Sequence, residues 1–204
     1  MENIRDFFGI RMRKGFTPML SALQKLHVTP NQVTIVGTLL NVAAAVLIAM
    51  DHLIYAGIVF LLAGCCDMLD GALARRAEQS TKWGAFLDST LDRVSEGVVL
   101  AAIAYLLASQ GHALDAALVV LALLGSILVS YTRARAESLG VECKVGIMSR
   151  PERIILVALG LFFNVLSYAI YIMLALTAFT VIQRVVYTYR QLGRQTEQGG
   201  IVER

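Results

Sequence analysis

Long apolar runs separated by short polar breaks dominate the hydropathy pattern of this chain. A helix needs about 20 mainly apolar residues to cross roughly 30 Å of hydrocarbon. Six runs approach or exceed that length, and they lie at residues 30–50, 53–76, 83–109, 113–138, 151–166 and 168–190. Three of the breaks are so short that the spans beside them must form antiparallel hairpins. The pattern therefore predicts an all-α, polytopic membrane protein with six transmembrane helices.

The residues before the first span predict a helix of another kind. Apolar side chains recur at steps of three and four from Ile4 to Leu23, with basic residues on the other side. This pattern is typical of an amphipathic helix in the membrane interface, although an amphipathic helix packed on protein has the same signature. We expect three regions: an N-terminal amphipathic segment at 1–28, a six-helix membrane domain at 29–190 and a polar, unstructured C-terminal tail at 191–204.

Composition supports a membrane protein and argues against several other classes. Apolar residues make up 57% of the chain and charged residues 16%, against about 25% charged in typical globular domains. The mean hydropathy of +0.66 is too high for a disordered chain, and a net charge of +3 is too small for a typical nucleic-acid-binding protein. The cysteines, Cys65, Cys66 and Cys143, have no obvious partners, so we expect free thiols.

The basic residues lie on one side of the predicted spans. All 18 Lys and Arg residues precede the first span, flank the links between spans two and three and between spans four and five, or lie near the C-terminus. The positive-inside rule assigns that side to the cytoplasm. We therefore expect a multi-pass protein of the cell membrane with both termini in the cytoplasm.

Four aspartates interrupt the apolar pattern where the second span ends and the third begins. Asp67 and Asp70 are three residues apart, and Asp88 and Asp92 are four apart, so each pair projects from one helical face. The short link makes the two helices antiparallel neighbours, which brings the carboxylates together. Carboxylates at membrane depth usually mark function, and oxygen ligands suit Mg²⁺ or Mn²⁺, two of which could clamp a phosphoryl group. An ion or proton pathway is the alternative.

The residues around these aspartates resemble the signature of the CDP-alcohol phosphotransferase family. All eight fixed positions match in Asp67-x2-Asp70-Gly71-x2-Ala74-Arg75-x8-Gly84-x3-Asp88-x3-Asp92. The resemblance implies a six-span membrane enzyme, usually a homodimer, whose active site faces the cytoplasm. In such an enzyme an alcohol attacks the phosphorus of a CDP-alcohol, CMP leaves and a phosphodiester forms.

The same resemblance implies roles for individual residues. Two Mg²⁺ ions, replaceable by Mn²⁺, would be held by Asp67, Asp70, Asp88 and Asp92. Asp92 would also be the catalytic residue, acting as general base. The CDP-lipid donor would be bound by Asp67, Asp70, Gly71, Arg75, Ser80 and Thr81.

Basic residues at the ends of spans four and five indicate the second substrate. Arg150 and Arg153 share a helical face beside the free amides of a capped helix start, whereas Arg133 can also pair with Glu137 four residues later. Together the set suits a doubly charged phosphate. The predicted acceptor site consists of Ser130, Arg133, Arg135, Arg150 and Arg153.

This stretch resembles the branch of the family that uses inositol 1-phosphate, with Arg133 where the bacterial enzymes are expected to have Lys. The predicted function is therefore transfer of a phosphatidyl-type group from a CDP-lipid to inositol 1-phosphate, among membrane lipids and without nucleic acid. Glycerol 3-phosphate is the competing acceptor. A cation transporter and a non-catalytic lipid-binding membrane protein are the remote alternatives.

Overall fold

The computed structural model describes residues 28–76 and 81–199, and within them the chain is helical without strands. Six helices follow one another: α1 (Pro30–Ala49), α2 (Leu53–Arg76), α3 (Lys82–Ser109), α4 (Ala113–Ser138), α5 (Arg150–Phe162) and α6 (Leu166–Gly199). The all-α prediction is confirmed. The predicted amphipathic segment at 1–28 lies outside the described residues except for Val28.

Four of these helices are long and apolar enough to cross a membrane. They cover Pro30–Ala49, Leu53–Ala74, Ala113–Ser138 and Leu166–Gln195. Helix α3 has the length but is charged through its first half, and the 13 residues of α5 extend only about 20 Å, less than the hydrocarbon thickness. The chain is therefore a multi-pass membrane protein. Its third and fifth predicted spans are helices, but α3 is too charged and α5 too short to qualify as a span by length and composition.

Capping boxes begin the first and fifth helices, the second of them at the capped start that the sequence predicts beside Arg150. The hydroxyl of Thr29 accepts a hydrogen bond from the main-chain N–H of Gln32, whose side chain accepts one from Thr29 N at 2.9 Å. At α5 the side chain of Glu152 accepts from Ser149 N at 3.0 Å. A proline in the first turn of each helix completes the two helix starts.

Tight turns force the helices into three antiparallel hairpins. Asp51, Gly111 and Asn164 have φ values of 62°, 85° and 52° at the turns after α1, α3 and α5. A left-handed residue reverses the chain within a few positions. The predicted hairpins are therefore present, and they leave the other ends of the helices to build a site together.

A single apolar core joins all six helices. Its fully buried side chains include Ile48 of α1, Ile103 of α3 and Leu161 of α5. Helix α6 crosses α4 at Gly125, where a Cβ would lie 2.6 Å from the Thr177 hydroxyl. Close packing of small residues is how membrane helices gain stability without a hydrophobic difference from lipid.

The C-terminal end of the membrane domain differs from the prediction. Helix α6 has 34 residues and continues to Gly199, so an unstructured tail from Gln191 is wrong as far as that residue. Residues 191–198 contain no proline and consist mostly of good helix formers, which lets the helix run on beyond the apolar segment. Residues 200–204 lie outside the described part of the chain.

A buried carboxylate ties α4 to α6 at the end remote from the predicted aspartate site. Asp115, in the first turn of α4, is 8% exposed. It accepts a hydrogen bond from the Ser167 hydroxyl at 2.6 Å and another from the Tyr171 hydroxyl. Hydrogen bonds to a charged acceptor contribute more to stability than neutral ones.

Replacing this carboxylate should destabilise the fold. In Asp115→Ala the hydroxyls of Ser167 and Tyr171 lose their acceptor, and we expect a lower unfolding temperature. Thermal unfolding in detergent measures this decrease. The Tyr171→Phe change should cost much less in the Asp115→Ala background than in the wild type; additive losses would contradict a direct bond.

Candidate active site

The ends of α2 and α3 bring the four aspartates of the sequence motif into one cluster. Asp67 and Asp70 lie near the end of α2, and Asp88 and Asp92 lie in the first half of α3. Each carboxylate is close enough to the other three to repel them. Because burial removes the water that would screen these charges, the cluster needs neutralising partners.

Arg150, the first residue of α5, supplies part of that neutralisation. Its Nη2 lies 2.7 Å from Asp67 Oδ2, and its Nη1 contacts Asp92 Oδ1. The three side chains are 24%, 14% and 16% exposed, respectively. A residue predicted to bind the acceptor phosphate therefore lies between two of the predicted metal ligands.

Hydrogen bonds from α1 and α2 orient the deepest aspartate. Asp70 is 4% exposed; its Oδ2 accepts from the Thr34 hydroxyl at 2.7 Å and its Oδ1 from the N–H of Gly71 at 2.5 Å. At Gly37, one turn further along α1, a Cβ would lie 3.2 Å from Asp67 Oδ1. Helix α1 thus packs directly against the carboxylates, and it contacts both α2 and α3. The prediction that α2 and α3 are direct neighbours is wrong: their aspartates meet, but each of the two helices packs chiefly against α1.

A cavity of about 190 Å³ opens between α1, α2 and α3 on one side of the cluster. Its lining consists of Pro30, Asn31, Thr34, Asp70, Gly71, Ala74, Thr81, Gly84, Ala85 and Asp88. The Thr81 hydroxyl caps α3 by accepting from Gly84 N at 2.9 Å. A Cβ on Gly84 would lie 3.1 Å from Asn31 Oδ1, so the glycine keeps this cavity open.

The predicted donor-binding residues divide between several places. Asp70, Gly71 and Thr81 line this cavity, whereas Asp67 faces Arg150 beside it. Ser80 and the side chain of Arg75 lie outside the described residues.

A second cavity, of about 370 Å³, lies on the other side of Asp92. Helices α3 to α6 enclose it with Ser89, Asp92, Arg93, Glu96, Val129, Ser130, Arg133, Ala134, Glu137, Ser149, Arg150, Arg153 and Arg184. Four of the five predicted acceptor residues line it. The exception is Arg135, which is exposed and lies 3.5 Å from the Ser138 hydroxyl. Residues two apart on a helix point about 200° apart, so Arg133 and Arg135 cannot face the same cavity.

The arginines of this second cavity are held in different ways. Arg133 pairs with Glu137 at 2.8 Å, as the i+4 spacing allows, and both side chains are about half exposed. An exposed pair of this kind exchanges partners at little cost. Arg153 is instead 3% exposed and paired with Glu96 of α3.

Two further residues of this cavity were missed in the sequence. Arg184 of α6 is 5% exposed, with Nε donating to the carbonyl of Val145 at 2.9 Å and Nη1 donating to the carbonyl of Val129. An arginine inside an apolar span is itself a signal of function. Glu96 follows Asp92 by one helical turn, so the same spacing that grouped the aspartates could have included it.

The oxygen-rich cluster fits a hard divalent cation. Asp67 Oδ2 is buried and forms no hydrogen bond despite its closeness to Arg150. Carboxylate oxygens are the ligands that Mg²⁺ and Mn²⁺ prefer. Among residues 28–76 and 81–199, no three acidic, His or Cys side chains lie close enough together to ligate one metal ion. Arg150 instead forms ion pairs with Asp67 and Asp92, two of the predicted metal ligands.

Comparison with known proteins places the motif in context. Residues 27–183 match the family model for CDP-alcohol phosphatidyltransferase. Archaetidylinositol phosphate synthase of Methanothermobacter thermautotrophicus is 39% identical over 197 residues, covering 94% of this chain and 97% of that protein.

Two crystal structures of Mycobacterium tuberculosis phosphatidylinositol phosphate synthase are similar to the fold. The structure with CDP-DAG bound has a TM-score of 0.78 and 33% identity, covering 85% of this chain and 92% of that one. The structure in complex with manganese and citrate has a TM-score of 0.76 and 32% identity, covering 85% and 88%.

Replacing Arg150 should expose the repulsion between the carboxylates. In Arg150→Gln the ion pairs to Asp67 and Asp92 are lost, and we expect a loss of about 3 kcal/mol in EDTA. Mg²⁺ should raise the unfolding temperature of the variant more than that of the wild type, because a cation that binds only the folded state stabilises it. Differential scanning fluorimetry in detergent measures both effects. Arg190→Gln, an exposed change on α6, is the control; an equal Mg²⁺ response in Arg150→Gln and wild type would argue against shared carboxylates.

Proposed function

The chain belongs to the CDP-alcohol phosphatidyltransferase family, and from that premise we propose that inositol 1-phosphate is the alcohol it uses. As a member of the family it is a membrane transferase of phospholipid synthesis. It transfers a phosphatidyl-type group from a CDP-lipid to an alcohol and releases CMP. The observation that carries the acceptor proposal is the arginine-lined cavity beside Asp92.

The smaller cavity is the proposed site of the cytidine diphosphate group. Its lining includes Thr81 and the glycines Gly71 and Gly84, which leave room for a ligand to approach the main chain. A solved relative with 33% identity has CDP-DAG bound, which supports a CDP-lipid as donor. Arg75 and Ser80 complete the proposed donor site on the evidence of the sequence motif alone.

The aspartate cluster is the proposed metal site, with two Mg²⁺ ions as its occupants and Mn²⁺ as a substitute. The ligands would be Asp67, Asp70, Asp88 and Asp92. A relative solved in complex with manganese supports a divalent cation, as does the buried Asp67 oxygen without a hydrogen bond. When bound, the ions would supply positive charge to stabilise the pyrophosphate and the departing CMP.

Asp92 is the proposed general base. A base must lie within hydrogen-bond reach of the hydroxyl that it deprotonates. Of the four aspartates, all within the described part of the chain, Asp92 alone lines the larger cavity, while Asp70 and Asp88 line the smaller one. Its carboxylate is therefore suited to take the proton from an acceptor hydroxyl as the hydroxyl oxygen attacks the donor phosphorus.

The phosphate of the acceptor accounts for the charge of the larger cavity. Arg133 can leave its exposed partner Glu137, and the guanidinium of Arg184 donates to main-chain carbonyls rather than to a carboxylate of the described residues. Arg150 stands between this cavity and the aspartates. An unphosphorylated alcohol would bring no anion for Arg184, whose hydrogen bonds go to main-chain carbonyls. The name of the archaeal relative supports inositol phosphate over glycerol 3-phosphate.

The proposed orientation places both termini and the active site in the cytoplasm. The arginines around the larger cavity belong to the basic side of the chain, which the positive-inside rule assigns to the cytoplasmic face. The family resemblance further supports a homodimer as the working form.

The acceptor is tested by measuring CMP release. Purified protein with a CDP-lipid and Mg²⁺ should release CMP with inositol 1-phosphate at least about tenfold faster than with glycerol 3-phosphate, because the wrong alcohol leaves polar groups of the cavity unpaired. Activity restricted to glycerol 3-phosphate would overturn the acceptor assignment. Equal activity with unphosphorylated inositol would show that the arginines of the larger cavity do not bind an acceptor phosphate.

The role of Asp92 is tested by an isosteric change. Asp92→Asn should lower CMP formation by about 10²–10⁴-fold, because the amide cannot accept the proton, while CDP-lipid binding in calorimetry stays within a few-fold. Glu142→Gln, at an exposed carboxylate on the α4–α5 loop, is the matched control and should keep full activity. Substantial turnover by Asp92→Asn would exclude this residue as the base.

A further inference from the structure

A buried ion pair lies one helical turn further along α3 and α5 than the contact between Arg150 and Asp92. Arg153 Nε is 2.5 Å from Glu96 Oε1, and Arg153 Nη2 is 2.9 Å from Glu96 Oε2. Two parallel bonds of this kind fix both the distance and the plane of the guanidinium. The side chains are 3% and 17% exposed, so the pair is part of the protein interior.

The two ion pairs form a ladder between α3 and α5. Glu96 follows Asp92 by four residues on α3, and Arg153 follows Arg150 by three residues on α5. The upper rung joins Arg150 to Asp92 at the border of the larger cavity. The lower pair, Glu96 and Arg153, lines the same cavity one helical turn away on both helices.

The start of α5 is also held from the side of α6. The N–H of Met148 donates to the Thr180 hydroxyl at 3.1 Å, and Arg184 holds the carbonyl of Val145. Arg153 itself contributes a long bond of 3.5 Å to the carbonyl of Met148. The segment before Arg150 is thus hydrogen-bonded by Thr180 and Arg184 of α6 and by Arg153 of α5. Glu96 of α3 contributes by binding Arg153.

Arg153 is 3% exposed, the least of the arginines that line the larger cavity, and Glu96 matches its charge. Both oxygens of Glu96 bind it, and its burial leaves little room to turn toward a ligand. Without the Glu96 charge, Arg153 would be an uncompensated buried cation. A small cavity of about 30 Å³ connects it to Asp67 and Arg150, so Arg153 would then compete with Arg150 for the same carboxylate.

We propose that Glu96 and Arg153 are a positioning pair that sets the place of the Arg150 guanidinium and thereby the affinity for the acceptor phosphate. The proposal rests on the proposed function, since it assumes that the larger cavity binds a phosphorylated alcohol. Neither residue touches the reacting atoms. Their effect passes through Arg150, and a misplacement of about 1 Å at such a group is enough to weaken binding strongly.

The test separates the two substrates of the reaction. In Glu96→Gln we expect the KM for inositol 1-phosphate to rise about tenfold or more, while the KM for the CDP-lipid stays within about twofold. Glu96→Asp keeps the charge and should recover part of the acceptor KM. Arg153→Lys keeps its charge but loses the bidentate geometry, so it should resemble Glu96→Gln. Calorimetric titration with inositol 1-phosphate should show the same order of affinities.

The matched control is Asp115→Ala, which removes a buried carboxylate in the first turn of α4, at the end of the molecule remote from the aspartate cluster. It should lower the unfolding temperature without changing the acceptor KM. Equal rises in both KM values for Glu96→Gln, or an acceptor effect of the same size in Asp115→Ala, would overturn the positioning role. If wild-type protein uses a different alcohol, the proposed function fails, and the same comparison of KM values with that alcohol still decides the role of the pair. Should Glu96→Gln not fold, Arg153→Lys decides it.

Discussion

The repulsion between four carboxylates held together at the end of a helical membrane protein governs the rest of the site. Carboxylates of α2 and α3 face one another in a largely buried cluster, and such an arrangement persists only if other groups offset the charge. Thr34 and the Gly71 amide bind Asp70, while Arg150 of α5 contacts Asp67 and Asp92. The neighbouring helices thus supply the hydrogen-bond donors and the positive charge that the carboxylates require.

This constraint explains the division of labour among the helices. The four apolar helices α1, α2, α4 and α6 have the length to cross the bilayer. Helices α3 and α5 add further charges to Asp67 and Asp70 of α2: Asp88, Asp92 and Glu96 on one, and Arg150 and Arg153 on the other. Ion pairs between these two helices, together with the apolar core around them, allow polar side chains to lie inside a membrane protein.

The same geometry separates the two cavities. The smaller cavity is lined by small residues together with Asp70 and Asp88, and the larger one by arginines together with Asp92 and Glu96, so carboxylates and guanidinium groups meet between the two. A donor that needs cations and an acceptor that is itself an anion require opposite electrostatic environments within a short distance. The border of carboxylates and guanidinium groups provides both, which is consistent with a reaction that joins two phosphate-bearing molecules.

The sequence by itself determined the helical class and the hairpins, because periodicity and loop length act locally along the chain. The sequence also predicted that the four aspartates meet, but it made α2 and α3 direct neighbours, whereas α1 packs against both of them. It also contained the capping residues Thr29 and Ser149 and the local pair of Arg133 with Glu137. What it left open depended on which helices become neighbours.

Only the tertiary structure decided that Thr34 of α1 binds Asp70, that Arg135 points away from the acceptor cavity and that Arg184 of α6 lines it. It also decided that Arg150 and Arg153, adjacent turns of one helix, have different partners. Asp92 and Glu96 lie 58 and 57 positions away from them in the chain, and such pairings arise only when the fold brings α3 and α5 within reach of these side chains. Local pattern reports which face of a helix is polar, whereas packing alone determines what that face meets.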